Sequence, residues 1–220
     1  MNNADALQTY PVDIHLEPAL ADRDRVTCAF RFILAFPHVL MAGGPLVAFL
    51  TWNWSMEEGN AFTFGAGGGA LGAAAGMAAV ISWFWILVTG RHPEGLWKLA
   101  ASYMRWRVRA VAYTTLLRDE FPPLGDGEYP VALLTGTPPE ERDRLTVGFR
   151  LLLALPHLVA LWVLGIGWVL TTMVAWVAIL LTGKYPDSLY GYAIGVLRWN
   201  TRVEAYLLLL TDEYPPFALR

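Results

Sequence analysis

Residues 151–183 read LLLALPHLVALWVLGIGWVLTTMVAWVAILLTG and contain no Asp, Glu, Lys or Arg. A helix that crosses the hydrocarbon core of a bilayer needs about 20 such residues. Two other stretches also lack these charges, with 25 residues between Arg31 and Glu57 and 32 between Glu58 and Arg91. The three stretches together predict an all-α membrane protein.

The composition of the whole chain supports this class. Its 220 residues are 55% hydrophobic and 16% charged, with a formal net charge of -3, whereas soluble domains carry about 25% charged residues. Such apolarity excludes a disordered chain, and the negative charge excludes a nucleic-acid-binding protein. Cys28 is the only cysteine, which excludes a disulfide scaffold, and residues 1–21 lack the pattern of a cleavable signal peptide.

The chain contains an internal repeat. Residues 10–38 recur at 129–157 with an offset of 119, which then falls to 93, so the first half carries 26 extra residues. The matching pairs include Tyr10 with Tyr129, Arg23 with Arg142, Arg31 with Arg150, His38 with His157, Trp106 with Trp199, and Tyr113 with Tyr206. A tandem duplication follows, with a first repeat at 1–125 and a second at 126–220.

The second half carries the motifs of a known family. They are Pro156-His157, Thr182-Gly183-Lys184-Tyr185-Pro186, Arg198-Trp199, Arg202, Tyr206 and Asp212-Glu213-Tyr214-Pro215-Pro216-Phe217. These motifs resemble the DUF4389 family of uncharacterised bacterial multi-pass membrane proteins. The resemblance covers both halves, although the first departs from it at Arg91-His92 and by its insertion. It implies two tandem copies and a membrane topology, and it assigns no catalytic residues.

The distribution of basic residues predicts the topology, because Lys and Arg collect on cytoplasmic flanks. All 16 lie in 1–31, 89–150 and 184–220. We therefore expect a bacterial cytoplasmic-membrane protein with both termini cytoplasmic and two helical hairpins. The four predicted spans are about 30–52, 67–88, 147–165 and 167–182, with an outer loop over 53–60. The alternative for the second half is a single tilted span, 157–181, preceded by an interfacial helix.

Each hairpin is followed by an amphipathic segment, at about 95–118 and 188–210. Tyr and Trp residues recur there at helical spacing beside arginines, which is typical of interfacial helices. The residues expected to contact lipid or phosphate headgroups are Arg105, Arg109, Arg198, Arg202, Trp106 and Trp199. The alternative is that these arginines pair with Asp119, Glu120, Asp212 or Glu213 inside the protein.

Short extended segments are predicted on the cytoplasmic side. Tyr10, Val12, Ile14 and Leu16 alternate with polar residues, and residues 129–134 are the repeat copy. The two strands could pair with each other or with a partner, since a strand needs a neighbour to be stable.

Four intramembrane polar residues are the remaining candidates for function, namely Arg31, His38, Arg150 and His157. Ionisable groups are costly in lipid and therefore often functional. The histidine pair could bind haem or a quinone or relay protons, whereas in the structural reading each histidine bonds a carbonyl freed by the preceding proline. No catalytic set, metal-ligand cluster or cofactor motif is visible in the sequence, so we expect no metal and no cofactor.

The function predicted from these observations is a non-catalytic accessory or scaffold subunit of the membrane. It would dock anionic membrane lipids and other membrane-protein subunits, and no nucleic acid. The alternatives are a small transporter or channel and a cofactor-binding electron-transfer subunit that uses His38 and His157.

Overall fold

A computed structural model describes residues 10–44, 69–123, 125, 127–137 and 141–219. This part of the chain is mostly helical, as expected, and carries two short strands. In chain order the elements are β1 (Val12–Leu16), α1 (Arg25–Ala29), α2 (Arg31–Ala42), α3 (Gly69–Thr89), α4 (Glu94–Thr114), β2 (Val131–Thr135), α5 (Arg144–Thr182) and α6 (Asp187–Leu207).

A single 39-residue helix, α5, replaces the second predicted hairpin. The Asp143 carboxylate caps its N-terminus, and Gly183 ends it in the left-handed conformation. The Gly165-Ile166-Gly167 segment stays helical because it has no polar turn residue and because α6 packs on it, with Tyr192 beside Gly167. The predicted spans 147–165 and 167–182 are therefore wrong. The alternative span 157–181 lies within α5, but the helix already begins at Arg144.

Two helices in the described residues, α3 and α5, are long and apolar enough to cross a membrane, so four spans are not supported. The predicted span 30–52 contains α2, which has 12 residues and a length of about 18 Å. It ends because Gly43 adopts φ 71°, a conformation that favours glycine. Residues 45–68 lie outside the described residues, including the predicted outer loop 53–60 and the start of the span 67–88.

In the first half, α2 and α3 together take the place that α5 has in the second. Gly69 lies so close to the last turn of α2 that an added Cβ would meet the Met41 carbonyl oxygen at 2.7 Å. By the repeat offsets, Ala42 corresponds to Leu161 and Gly69 to Trp162. The extra residues of the first half therefore interrupt a helix that is continuous in the second half.

Helices α4 and α6 cover most of the two segments predicted as amphipathic interfacial helices, 95–118 and 188–210. Helix α4 packs on α2 and α3, and α6 packs on α5. Tyr192 and Trp199 of α6 contact Leu164 and His157 of α5 respectively, so the two helices are antiparallel. Because α4 also packs on β2 and α6 on β1, these two helices lie between the strands and the long helices.

The two predicted strands pair with each other in an antiparallel sheet. Val12 lies opposite Thr135, Leu16 opposite Val131, and Ile14 opposite Leu133 at the centre. Leu133 is the repeat counterpart of Ile14 at the offset of 119. An approximate twofold axis therefore passes through the middle of the sheet.

The contacts between the halves follow the same twofold relation. The Trp83 indole donates to the Val147 carbonyl at 2.8 Å, and Trp176 donates to that of Cys28 at 3.0 Å. Cys28 and Val147 are repeat counterparts, as are the two tryptophans. The end of α3 thus lies against the start of α5, and the end of α5 lies against α1.

The largest buried apolar cluster lies between the sheet, α4, α6 and the second part of α5. Its members include Ile14, Val131, Val108, Val111, Trp168, Ala175, Ala193 and Val196. The core therefore joins the two halves.

Candidate functional site

Each half contains an equivalent Arg–Asp–Arg cluster. In the first half it joins α1 and α2 to the residues that follow α4, and in the second half it joins the start of α5 to the residues that follow α6. In the first cluster, Arg23 binds the Asp119 carboxylate through two hydrogen bonds of 2.7 Å, and Arg31 binds one oxygen of the same carboxylate. In the second cluster, Arg142 and Arg150 share Asp212. The guanidinium groups are nearly inaccessible to solvent, whereas the shared side chains of Asp119 and Asp212 are 21% and 19% exposed.

Main-chain carbonyls complete both clusters. Arg23 donates to the Leu116 carbonyl at 2.6 Å, and Arg142 donates to the Leu209 carbonyl at 3.0 Å. Both leucines have positive φ angles, 65° and 64°, which cost about 1–2 kcal/mol for such residues. The arginines therefore stabilise a strained turn at the end of α4 and of α6.

Tyrosine rings lie against one arginine of each cluster, Arg31 of α2 and Arg150 of α5. The Arg31 guanidinium is 4.0 Å from the centre of the Tyr113 ring, and that of Arg150 is 4.3 Å from Tyr206. Cation–π attraction is strongest where the cation has lost its water. Arg31 and Arg150, predicted as intramembrane polar candidates, are thus enclosed by protein groups.

The electrostatics of the first cluster follow from these contacts. Burial alone raises the pKa of the Asp119 carboxyl. The hydrogen bond and positive charge of Arg23, the Asp24 backbone N–H and the charge of Arg31 outweigh burial, so the net pKa is below its ordinary value of 3.8. Asp119 is therefore ionised at neutral pH and fixed to its arginines.

His38 and His157 lie in matching aromatic enclosures and are completely buried. Each Nδ1 atom accepts a hydrogen bond of 3.1 Å from an indole N–H, of Trp106 and Trp199 respectively. The structural hypothesis predicted a different partner, namely the main-chain carbonyl that the preceding proline leaves without a hydrogen bond. Because Nδ1 is the acceptor, a neutral ring carries its hydrogen on Nε2, and neither Nε2 atom has a partner.

Aromatic rings of the chain segment after each amphipathic helix cover the histidines. Phe121 lies 4.6 Å from His38, and Phe217 stacks on His157 at 3.9 Å between ring centres. Tyr214 also contacts His157, at 4.7 Å. The arrangement joins the long helix, the amphipathic helix and the following segment in each half.

The structure places the predicted headgroup residues as follows. Arg198 and Arg202 pair with Asp13 of β1 at 2.9 and 3.4 Å. Arg109 donates to the Gly125 carbonyl, and Arg105 donates to the Ser102 hydroxyl. Trp106 and Trp199 donate to the two histidines, as described above, and Trp199 is 7% exposed.

The outer surface of the long helices is apolar. On α5, exposed apolar side chains extend from Leu145 to Leu181, and these two leucines are both 73% exposed. On α3, the corresponding surface includes Ile81, Phe84 and Val88. A continuous apolar surface of this size marks a membrane or protein contact. We call the exposed apolar side chains of α2, α3 and α5 the outer face.

The sequence interpretation did not single out Arg23, Arg142 or the shared role of Asp119 and Asp212. The signal was present, because these residues recur at the two repeat offsets. Their pairing depends on contacts between residues 96 and 70 positions apart, which spacing along one helix does not reveal. In the described residues, no group of three or more His, Cys, Asp or Glu is placed to hold a metal ion.

Comparison with known proteins identifies the family. The family model of DUF4389, a domain of unknown function, matches residues 63–124 and 144–218. No match was found among curated proteins or solved structures. The two matched segments contain α3 with α4 and α5 with α6, each with the segment that follows. The chain therefore belongs to the DUF4389 family and carries two copies of its domain.

Proposed function

We propose that this chain is a non-catalytic membrane scaffold, which attaches to lipid by its outer face and to protein partners by its sheet side. The observation that carries the proposal is the separation of two surfaces. The outer face is apolar over the whole of α5, whereas charged residues of α4 and α6 lie on the side of the sheet, as in the pair of Arg198 with Asp13.

The polar groups buried in the described core support a structural role. Arg31, Arg150 and Arg107 each bind a carboxylate of the protein, the last at 2.7 Å from Glu204. Groups occupied in this way hold the fold and leave no activated nucleophile or general base in those clusters.

Basic residues at the ends of the long helices support attachment to anionic lipids. Arg25 and Lys184 are exposed at one end, and Arg91 and Arg144 are exposed at the other. Cations beside an apolar face attract anionic headgroups, with about 1 kcal/mol for each residue near the surface. We propose these four residues as headgroup contacts in addition to the predicted arginines of α4 and α6.

The sheet side offers a place for a protein partner. In the described residues the sheet has two strands, so each strand has one edge unpaired by this sheet, and such edges accept a further strand. Leu134 of β2 is 55% exposed. The proposed partner is another membrane protein that binds at this sheet.

Membrane attachment is tested with a double variant of the outer face, Leu170→Asp with Val174→Asp. The two residues are 58% and 57% exposed, so the fold should persist. Each Asp costs about 2.5–3.5 kcal/mol in the hydrocarbon, and the fraction that resists carbonate extraction from membranes should fall. The matched control is Leu134→Asp, which should remain in the membrane.

The same control variant tests the scaffold role. Wild type purified in mild detergent should carry a stoichiometric membrane-protein partner, and Leu134→Asp should lose that partner without leaving the membrane. A wild-type protein that purifies alone, or a Leu134→Asp variant that keeps its partner, contradicts docking at the sheet.

A further inference from the structure

The length of α5 conflicts with a simple membrane crossing. Its 39 residues span about 58 Å, whereas the hydrocarbon core is about 30 Å thick. The exposed side chains are apolar from Leu145 to Leu181, so both ends need lipid. Fitting this helix across the core would require a tilt of about 60°, and transmembrane helices tilt by about 0–40°.

A crossing would also bury charged groups of the neighbouring helix in hydrocarbon. Helix α6 lies along α5 from Arg150, which contacts Tyr206, to Leu164, which contacts Tyr192. Arg198 and its partner Asp13 lie within this interval, at a level near the middle of α5. Both side chains are about one-quarter exposed, and charges are costly at that depth.

The twofold relation between the halves makes the two ends of the molecule alike. The backbone N–H of Arg142 donates to the Gly90 carbonyl, and the backbone N–H of Arg23 donates to the Gly183 carbonyl, each at 3.0 Å. The start of one long helix and the end of the other thus meet at each end of the molecule. Exposed basic residues lie at both ends, Arg25 with Lys184 at one and Arg91 with Arg144 at the other, beside the exposed carboxylates of Asp24 and Asp143 respectively.

We infer that the described part of the chain lies within one leaflet of the bilayer and that α5 does not cross it. This inference rests on the proposed membrane attachment. With α5 near the membrane plane, the outer face lies in acyl chains along its whole length. Helices α4 and α6 and the sheet then lie toward the headgroups and water, and all described basic residues stay on one side of the membrane.

Cysteine accessibility in sealed vesicles tests the inference. The background variant is Cys28→Val, because the repeat counterpart of Cys28 is Val147 and the bond from Trp176 uses only the main-chain carbonyl. Single cysteines are placed at Glu141 and Ser188, which are exposed beyond the two ends of α5, and at Ile166 in its middle.

A membrane-impermeant maleimide should label Glu141→Cys and Ser188→Cys from the same side. Ile166→Cys, although 49% exposed in the protein, should lose all labelling from both sides until detergent is added. Labelling of the two end positions from opposite sides would show that α5 crosses and would overturn the inference.

Two other outcomes would also overturn it. Labelling of Ile166→Cys from the side opposite to the end positions would indicate a hairpin. Labelling of Ile166→Cys from the same side as the end positions would show that water or a second copy of the chain, and not lipid, covers the outer face. Failure of the protein to sediment with membranes would instead refute the proposed attachment itself.

Discussion

Arg31 and Arg150 show how a buried cation is accommodated in this fold. Each is at most 2% exposed, and each gains a carboxylate, a main-chain carbonyl and a tyrosine ring. A buried arginine without its carboxylate is strongly destabilising, because its lost hydration is no longer compensated. The shared aspartates should therefore be the residues on which the stability of each half depends most.

Replacement of Asp119 by Asn should test this dependence. The variant leaves Arg23 and Arg31 without a counter-charge, and breaking a buried pair costs about 3 kcal/mol or more. Thermal unfolding in mild detergent should show a correspondingly lower midpoint, and Asp212→Asn should behave alike. Glu94→Gln, which removes an exposed pair with Lys98, is the control and should leave the midpoint unchanged. Equal midpoints for Asp119→Asn and wild type would refute the role of the cluster.

The same carboxyl predicts a dependence of stability on pH. The pKa of folded Asp119 is below 3.8, so the unfolded chain takes up this proton first as the pH falls. The contribution of Asp119 is complete above about pH 4 and is lost as the pH falls through the folded pKa. The difference in unfolding midpoint between wild type and Asp119→Asn should shrink over that window, and a difference that grows there would contradict the assignment.

The histidine enclosures predict different effects for two substitutions at His157. Leucine leaves the Trp199 indole N–H buried without an acceptor, which costs about 1–3 kcal/mol. Asparagine offers an amide oxygen as an acceptor, so the free energy of unfolding should fall less. Denaturant unfolding of the two variants measures the difference, and the same order should hold at His38. A larger loss with Asn than with Leu would be incompatible with the hydrogen bond from Trp199.

At the scale of elements, the periodicity of apolar residues predicted those helices and strands that depend on local sequence. The helical spacing of Tyr103, Trp106 and Tyr113 predicted α4, and the alternation of Val12 and Ile14 predicted β1. The path of residues 147–182 depends instead on what packs beside them, and neither charge distribution nor apolarity carries that information. The pairing of Asp119 with Arg23 was likewise hidden, because it joins residues 96 positions apart.

Gly167 shows why α5 and α6 approach so closely. A Cβ at this position would meet the Tyr192 hydroxyl at 2.6 Å and its next ring atom at 3.4 Å. Gly167→Ala should therefore destabilise the protein by displacing that hydroxyl from the Leu164 carbonyl. Tyr192→Phe removes the clash, so the double variant should be more stable than the sum of the two single effects in a double-mutant cycle.

Gly191 provides the matched control for this cycle. It lies in α6, and nothing is within 4 Å of an added Cβ, so Gly191→Ala should stabilise the helix by up to about 1 kcal/mol. Additivity of Gly167→Ala and Tyr192→Phe would show that these two residues do not limit the approach of α5 to α6.

At the scale of the whole molecule, the duplication makes one folding unit from two interdependent halves. Each half supplies a strand to the same sheet and an indole N–H to the first helix of the other. The largest buried cluster contains side chains from both halves, such as Val108 and Val196. Neither half alone can pair its strand in a sheet or cover its part of the buried cluster. We therefore expect the halves to remain together when the connection between them is cut.

Cleavage of the chain between Gly125 and Gly127 tests this interdependence. A protease recognition sequence inserted there leaves both strands intact and places them on different fragments, because α4 ends at Thr114 and β2 begins at Val131. After cleavage in mild detergent, the two fragments should co-elute in size-exclusion chromatography. In a second insertion variant, Trp83→Phe with Trp176→Phe removes both indole bonds between the halves and should make the fragments separate at a lower denaturant concentration. Spontaneous separation of the unsubstituted fragments would mean that each half folds without the other.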